Sequence, residues 1–258
     1  MPDTILYDKK DHIVTITLNR PEALNSINRK LRAELSEAIN EIDSDKDTYV
    51  GVITGNGRAF CAGRDLKERA QDNADGVQAE AGHSMTKESP YLWPSTYKPL
   101  VAAVNGYALA GGWSIAQMCD IRVASEDAQL GISETKWSLL PPFGTILPKH
   151  MPLSAVMELV LTAQPVTAQR AYDMGFLNKV VPQDQVLEEA MSYAQQIAEN
   201  APLAVQAFKE LALRGLDMDI PAISAMAFDK YNEILRTEDS KEGPKAFAEK
   251  RKPIWKVR

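Results

Sequence analysis

The chain has 258 residues, 45% hydrophobic and 25% charged, with 29 basic against 35 acidic side chains and a net charge of −6. These proportions fit a folded protein with a sizeable core and exclude disordered, collagen-like and low-complexity classes. The acidic balance argues against nucleic acid or an anionic membrane as partner. Two cysteines, Cys61 and Cys119, with no CxxC pair, rule out a disulfide framework, and no apolar run has the length or flanks of a membrane span or signal peptide. A cytoplasmic protein is expected.

Ile13 to Leu18 alternates with β-branched residues and stops at Asn19-Arg20-Pro21, which reads as a strand. Leu31, Leu35, Ile39 and Ile42 then form one helical stripe over residues 28–43. Tyr49 to Thr54 is a second strand, and strand–helix–strand order predicts a right-handed crossover with parallel pairing. The pattern returns with Leu100 to Val104, a glycine-rich turn, a helix over 111–118 and a strand over 121–124. Residues 71–90 are polar and read as an excursion between core elements. From about residue 154 the spacing is helical over 154–163, 167–174, 185–199, 202–214 and 221–236, with Val180-Val181 the one strand expected there. The C-terminus is locally basic, with Lys241, Lys245, Lys250, Arg251, Lys252, Lys256 and Arg258. The class expected is α/β followed by helices.

Three stretches carry candidate chemistry. Gly57 to Glu68 follows a strand, and small residues there allow close backbone approach and free N–H groups that bind an oxyanion. Asn105 to Ser114 runs an apolar strand into Gly111-Gly112 and a helix, whose N-terminal N–H groups favour developing negative charge. One N–H from each stretch would make an oxyanion hole. In the third, Glu134 sits among apolar neighbours, and desolvation there suits a carboxyl to proton transfer. Each feature also has an ordinary structural explanation: a plain turn, tight helix packing, a solvated carboxylate. His12, His83 and His150 are isolated, so no metal site is expected, and no nucleophile elbow, Walker loop or dinucleotide fingerprint is present.

Taken in order, Leu18-Asn19-Arg20-Pro21-Glu22-Ala23-Leu24-Asn25-Ser26, Ala62-Gly63-Arg64-Asp65-Leu66-Lys67-Glu68, Lys98-Pro99, Asn105-Gly106, Gly111-Gly112, Met118-Cys119-Asp120-Ile121, Gly175 and Ala246-Phe247-Ala248-Glu249-Lys250-Arg251 resemble the crotonase, or enoyl-CoA hydratase/isomerase, superfamily over essentially the whole chain. The resemblance implies an α/β crotonase-like spiral of ββα units over residues 1–195, with a helical trimerisation region over 196–258. It further implies a homotrimer or hexamer acting on an acyl-CoA thioester, with coenzyme A as part of the substrate and no separate cofactor. The thioester carbonyl would sit between the backbone N–H groups of Arg64 and Gly111. Ala23, Leu24 and Ala62 match positions that contact CoA, and Phe247 and Lys250 match an aromatic and a lysine that reach CoA phosphates, often from a neighbouring subunit.

One position departs from the pattern. Two-carboxylate hydratases of this superfamily carry a Glu two residues past Gly112; Ser114 stands there, leaving Glu134 as the sole acid/base and Ser114 to orient water or carboxylate. Single-glutamate members include Δ3,Δ2-enoyl-CoA isomerases and hydroxycinnamoyl-CoA hydratase-lyases, and Ser133-Glu134-Thr135-Lys136-Trp137 with Ser114 resembles the latter, although Ser138 and Phe143 replace glycines. The expected activity is hydration of a 2-enoyl-CoA, with or without cleavage. Isomerisation, acyl-CoA or carbon–carbon hydrolysis and a non-catalytic CoA-binding role are the alternatives. Trp113, Trp137, Phe143, Tyr91 and Trp93 are candidates for an acyl pocket, against the simpler role of filling the core.

Overall fold

A computed structural model describes residues 3–76 and 93–258. It begins with a hairpin, β1 (Ile5–Lys10) and β2 (Ile13–Leu18), paired antiparallel. Asp11 and His12 both take positive φ between them, the backbone of a two-residue turn whose twist matches its strands. α1 (Arg29–Ser44) is capped by Asn28, whose side chain accepts the Leu31 N–H at 2.8 Å, and it buries the expected stripe of Leu31, Leu35, Ile39 and Ile42.

Three turns of a spiral follow. Each lays down a longer strand, a short strand and a helical segment: β3 (Val50–Gly55), β4 (Ala59–Cys61) and α2 (Leu66–Ala74); β5 (Leu100–Val104), β6 (Tyr107–Leu109) and α3 (Gly111–Met118); β7 (Ile121–Ser125), β8 (Gln129–Gly131), two 3-10 segments (Glu134–Trp137 and Pro142–Lys149) and α4 (Leu153–Thr162). β9 (Val166–Thr167), α5 (Ala168–Asp173) and β10 (Lys179–Val181) complete the sheets. The longer strands build a six-stranded sheet in the order β1-β2-β3-β5-β7-β10, parallel from β2 onward. The short strands build a second sheet, β4-β6-β8-β9. The expected crotonase-like α/β spiral is the fold observed, and Val14, Ile16, Phe60, Leu100 and Trp113 lie in the core between its layers.

α6 (Val186–Ala198) closes the other face of the larger sheet, setting Val186, Ala190 and Ala194 against Val50, Val52, Val101 and Val123. The boundary expected at residue 195 falls inside this helix. α7 (Pro202–Gly215), α8 (Ile220–Leu235) and α9 (Asp239–Ala248) then form a layer with little core of its own. No α8 side chain is fully buried, and Phe208, Ile220 and Phe228 are 73%, 79% and 66% exposed. Among the described residues no helix is long and apolar enough to cross a membrane.

Two expectations change. Residues 71–74 belong to α2, not to an excursion, while the stretch after Gly76 lies outside the described residues up to Trp93. The short strands β4, β6 and β8 were not expected at all, and they organise the site.

Candidate active site

β4, β6 and β8 run parallel, with Cys61 paired to Ala108 and Leu109 to Gly131. Their carboxyl ends therefore lie side by side, where parallel sheets hold ligands. Each end continues into one of the three candidate stretches: Ala62-Gly63-Arg64 after β4, Ala110-Gly111 after β6, and Ser133-Glu134 after β8.

The first two ends expose N–H groups. Ile27 donates to Gly63 O at 2.7 Å and Asp65 donates to Ile27 O at 3.0 Å, which leaves the intervening Arg64 N–H without a partner among the described residues. Ala110 precedes α3 at φ 54° and ψ −119°, a strained conformation for alanine, pinned by its N–H on Gly131 O at 2.8 Å. Gly111 N–H follows as an orphan donor of the first helical turn. A Cβ built on Gly111 would lie 3.8 Å from Arg64 N and 2.7 Å from Ile27 Cδ1, so the two donors come close together beside Ile27.

Glycine is required behind these donors. A Cβ on Gly112 would sit 2.0 Å from Cys61 O, so α3 packs backbone-to-backbone on β4. Gly63 has φ +94°, and its Cβ would come within 2.8 Å of Ala110 Cβ.

Glu134 opens the 3-10 turn just past β8. Its Oε2 is buried with no hydrogen-bond partner among the described residues. Burial pushes this carboxyl above the ordinary carboxylate range, with the N–H groups of Glu134 and Ser133 opposing weakly. Ser114 is 3% exposed and lies three residues along α3 from Gly111, on the same side of the helix. The structure thus brings Arg64, Gly111, Ser114 and Glu134 to one sheet end.

Ala23, Leu24 and Ala62 also meet, since Ala62 N–H donates to Leu24 O at 3.0 Å. Two residues of the Leu18–Ser26 motif with no role assigned from sequence explain how. Asn25, fully buried and at φ 54°, accepts the Arg20 N–H and donates to Asn56 O and Ala59 O at 2.8, 3.0 and 2.8 Å. Arg20 pairs with Asp65 at 2.9 Å, and Asp65 caps α2 through the N–H groups of Lys67 and Glu68. The loop at 20–25 and the turn at 62–65 are thereby locked together.

The aromatic candidates divide between core, surface and cleft. Trp113 is completely buried, stacked on Phe176 at 3.8 Å between centroids, with Nε1 donating to Gln117 at 3.2 Å. Phe143 is 3% exposed in the same core. Both rings lie in the core, with one face of Trp113 covered by Phe176. Trp137 lies instead on the surface, 67% exposed, and Tyr91 lies outside the described residues. Trp93 does face a cleft, one of about 550 Å³ that reaches the C-terminal end of α3 and is also lined by Gln117, Asp120, His150 and Lys209.

The basic C-terminus is mostly neutralised inside the chain: Arg251 pairs with Glu242, Lys252 with Glu199, and Lys256 and Arg258 with Glu238. Lys250, past the end of α9 at φ 53°, forms no ion pair among the described residues, and Phe247 is 87% exposed. Both lie at the end of α9, in the helical layer.

The sequence model of the enoyl-CoA hydratase/isomerase family matches residues 8–258. The chain belongs to that family. It is 37% identical to an enoyl-CoA hydratase of Mycobacterium tuberculosis, covering 100% of this chain and 97% of that one. It is 36% identical to an (E)-benzylidenesuccinyl-CoA hydratase of Thauera aromatica over 99% of both. The crystal structure of an enoyl-CoA hydratase from Bacillus anthracis superposes with a TM-score of 0.91 at 36% identity, covering 99% of this chain and 100% of that one. The family expected from the motifs is the family found, and with it an acyl-CoA enzyme of the hydratase type.

Proposed function

We propose that this family member hydrates a 2-enoyl-CoA with Glu134 as its single acid/base. The observation that carries the reading is the convergence, at three adjacent parallel strand ends, of two N–H groups and one desolvated carboxyl oxygen that have no partner among the described residues. The thioester oxygen accepts from Arg64 and Gly111, which draws electrons from the C2=C3 bond. Glu134 takes a proton from water as the water oxygen bonds to C3. The enolate held by the two N–H groups then collapses, and Glu134 returns that proton to C2, so H and OH add across the double bond and the carboxylate is regenerated. Preorganised donors of this kind contribute about 3–4 kcal/mol each to such steps. Ser114 orients the water. Names of relatives on both sides of the match are hydratases, which supports addition of water over migration of the bond.

CoA lies along Ala23, Leu24 and Ala62. Phe247 and Lys250 of a neighbouring chain reach its phosphates in a homotrimer or hexamer, a reading supported by the exposed apolar face of α7 and α8. No further cofactor enters the scheme, and the setting proposed is the cytoplasm. A lone carboxyl also serves proton transfer in a Δ3,Δ2-isomerase, the second reading. Hydrolysis would need a histidine or aspartate beside the thioester; His83, the one histidine in a plausible stretch, lies outside the described residues.

Turnover of a 2-enoyl-CoA panel in oxygen-18 water tests the proposal. Label at C3, with kcat reduced by about 10²–10⁴ in Glu134→Gln, is the expected result. Double-bond migration without label establishes isomerisation instead, and full activity in Glu134→Gln removes the mechanism.

A further inference from the structure

Resting on the site just proposed, we infer that the acyl group this enzyme accepts carries an anion, a carboxylate on the part of the chain beyond C3. Three arginines gather beside the oxyanion turn: Arg64 in the turn itself, Arg69 one turn into α2, and Arg32 one turn into α1. α1 and α2 are tied together there by Arg29, which pairs with Glu68 and Asp72. Among the described residues, none of the guanidinium groups of Arg32, Arg64 and Arg69 makes a hydrogen bond or ion pair, and the Nη1 atoms of Arg32 and Arg69 are buried without any partner.

Nearby acids are already engaged: Asp72 and Glu68 by Arg29, and Asp65 by Arg20. The cations act on one another. Burial and then the charge of Arg64 hold Arg32 below its ordinary value, and burial and then Arg69 do the same to Arg64. Arg32 and Arg69 are partly buried with unsatisfied donors, and Arg64 beside them is exposed; like charges so placed are costly in the empty protein, and an arriving carboxylate with its four lone-pair sites relieves both costs together.

Position assigns the anion to the acyl side. The CoA patch of Ala23, Leu24 and Ala62 precedes the oxyanion turn, whereas Arg69 lies beyond it. Arg32 stacks over Trp93, 5.7 Å from its ring centre, and Trp93 lines a cleft to which Ala23, Leu24 and Ala62 contribute nothing. Pantetheine and acyl chain leave the thioester carbonyl in opposite directions, so the acyl chain is the part that meets these arginines. The buried, unpartnered Trp93 Nε1 adds a further donor.

The test compares trans-2-hexenedioyl-CoA with its monomethyl ester, in the parent, Arg32→Gln and Arg69→Gln. The ratio of kcat/KM for acid over ester is independent of the fraction folded. It is expected to be at least about tenfold in the parent and to fall towards one in either variant. A parent ratio near or below one overturns the inference, as does a ratio that the variants leave unmoved. If the cluster serves a CoA phosphate instead, both substrates lose equally in the variants and the loss disappears with 3′-dephospho-CoA thioesters, which also overturns it. Failure to turn over either substrate would count against the hydratase reading alone, because the same comparison is then made on binding affinities by calorimetry.

Discussion

Replacing Gly112 with alanine isolates the packing that aims the oxyanion donors. The added Cβ would lie 2.0 Å from Cys61 O, 2.8 Å from Cys61 C and 3.0 Å from Cys61 Cβ. A non-bonded carbon sits about 3.3 Å from a carbonyl oxygen, so α3 must retreat from β4 by about 1.3 Å. The obstacle is backbone inside a parallel ladder, which cannot swing away as a side chain can. Overpacking of this kind costs about 1–3 kcal/mol, and the upper end applies here. For a chain of this length that lowers Tm by about 6–12 °C. The functional cost is larger. Gly111 N–H rides on the same turn, and a misplacement of about 1 Å costs on the order of 10² in rate. Urea unfolding and steady-state turnover of an accepted enoyl-CoA measure the two effects. Gly144→Ala is the control, since its Cβ meets nothing closer than 3.6 Å, and it should change stability by no more than about 0.5 kcal/mol. A Gly112→Ala protein with kcat within twofold of the parent refutes the idea that this contact sets the donor geometry.

Glu134 makes stability depend on pH. Between the ordinary carboxylate value and its raised one, the folded chain holds a proton that the unfolded chain releases, so stability falls as pH rises through that window. Glu134→Gln is therefore expected to be more stable than the parent near about pH 8, and the two should converge near about pH 3, below the ordinary carboxylate value; denaturant midpoints at both pH values check this. Cys61 and Cys119 are buried, with thiols pushed up to about 12 by desolvation, so neither should react with a thiol reagent at neutral pH until the chain is unfolded. Lys250→Ala should raise KM for acyl-CoA several-fold while sparing kcat, with the difference shrinking at high salt; an unchanged KM removes Lys250 from the phosphate site. Ser114→Glu places a second carboxyl beside Glu134 and should move the acidic limb of the kcat–pH profile upward relative to Ser114→Gln; identical limbs would separate Ser114 from the catalytic carboxyl.

Much of the scaffold was legible where the signal is local. β2, β5 and α3 have the bounds expected from alternation, from a continuous apolar run and from a glycine pair opening a helix. β4, β6 and β8 were not, because three residues such as Tyr107, Ala108 and Leu109 are too few to show a period. The candidate chemistry was visible as three separate stretches, yet what makes them one site is the pairing of Cys61 with Ala108 and Leu109 with Gly131, a tertiary fact. The burial of Trp113 and Phe143 was illegible for a similar reason. An aromatic beside a motif has the same letter whether it faces ligand or core, and only its contact with Phe176 or its burial decides.

Charge shows the same divide between counting and placing. A net charge of −6 discourages an anionic ligand, and a basic C-terminus seems to supply the exception. Pairing inverts both inferences. Most of the tail's cations are spent on Glu199, Glu238 and Glu242, whereas Arg32, Arg64 and Arg69, scattered through two helices and a turn, remain uncommitted among the described residues, beside the proposed thioester site. An acidic surface repels anions on average, and the arginine recess is an exception to it. A CoA ester is itself polyanionic, so the long-range field slows its approach while the recess holds it, and association should quicken with added salt as the surface repulsion is screened. The arginines' work is then retention and orientation of the acyl group. Capture of CoA falls to exposed cations such as Lys250, where an incoming phosphate loses little solvation.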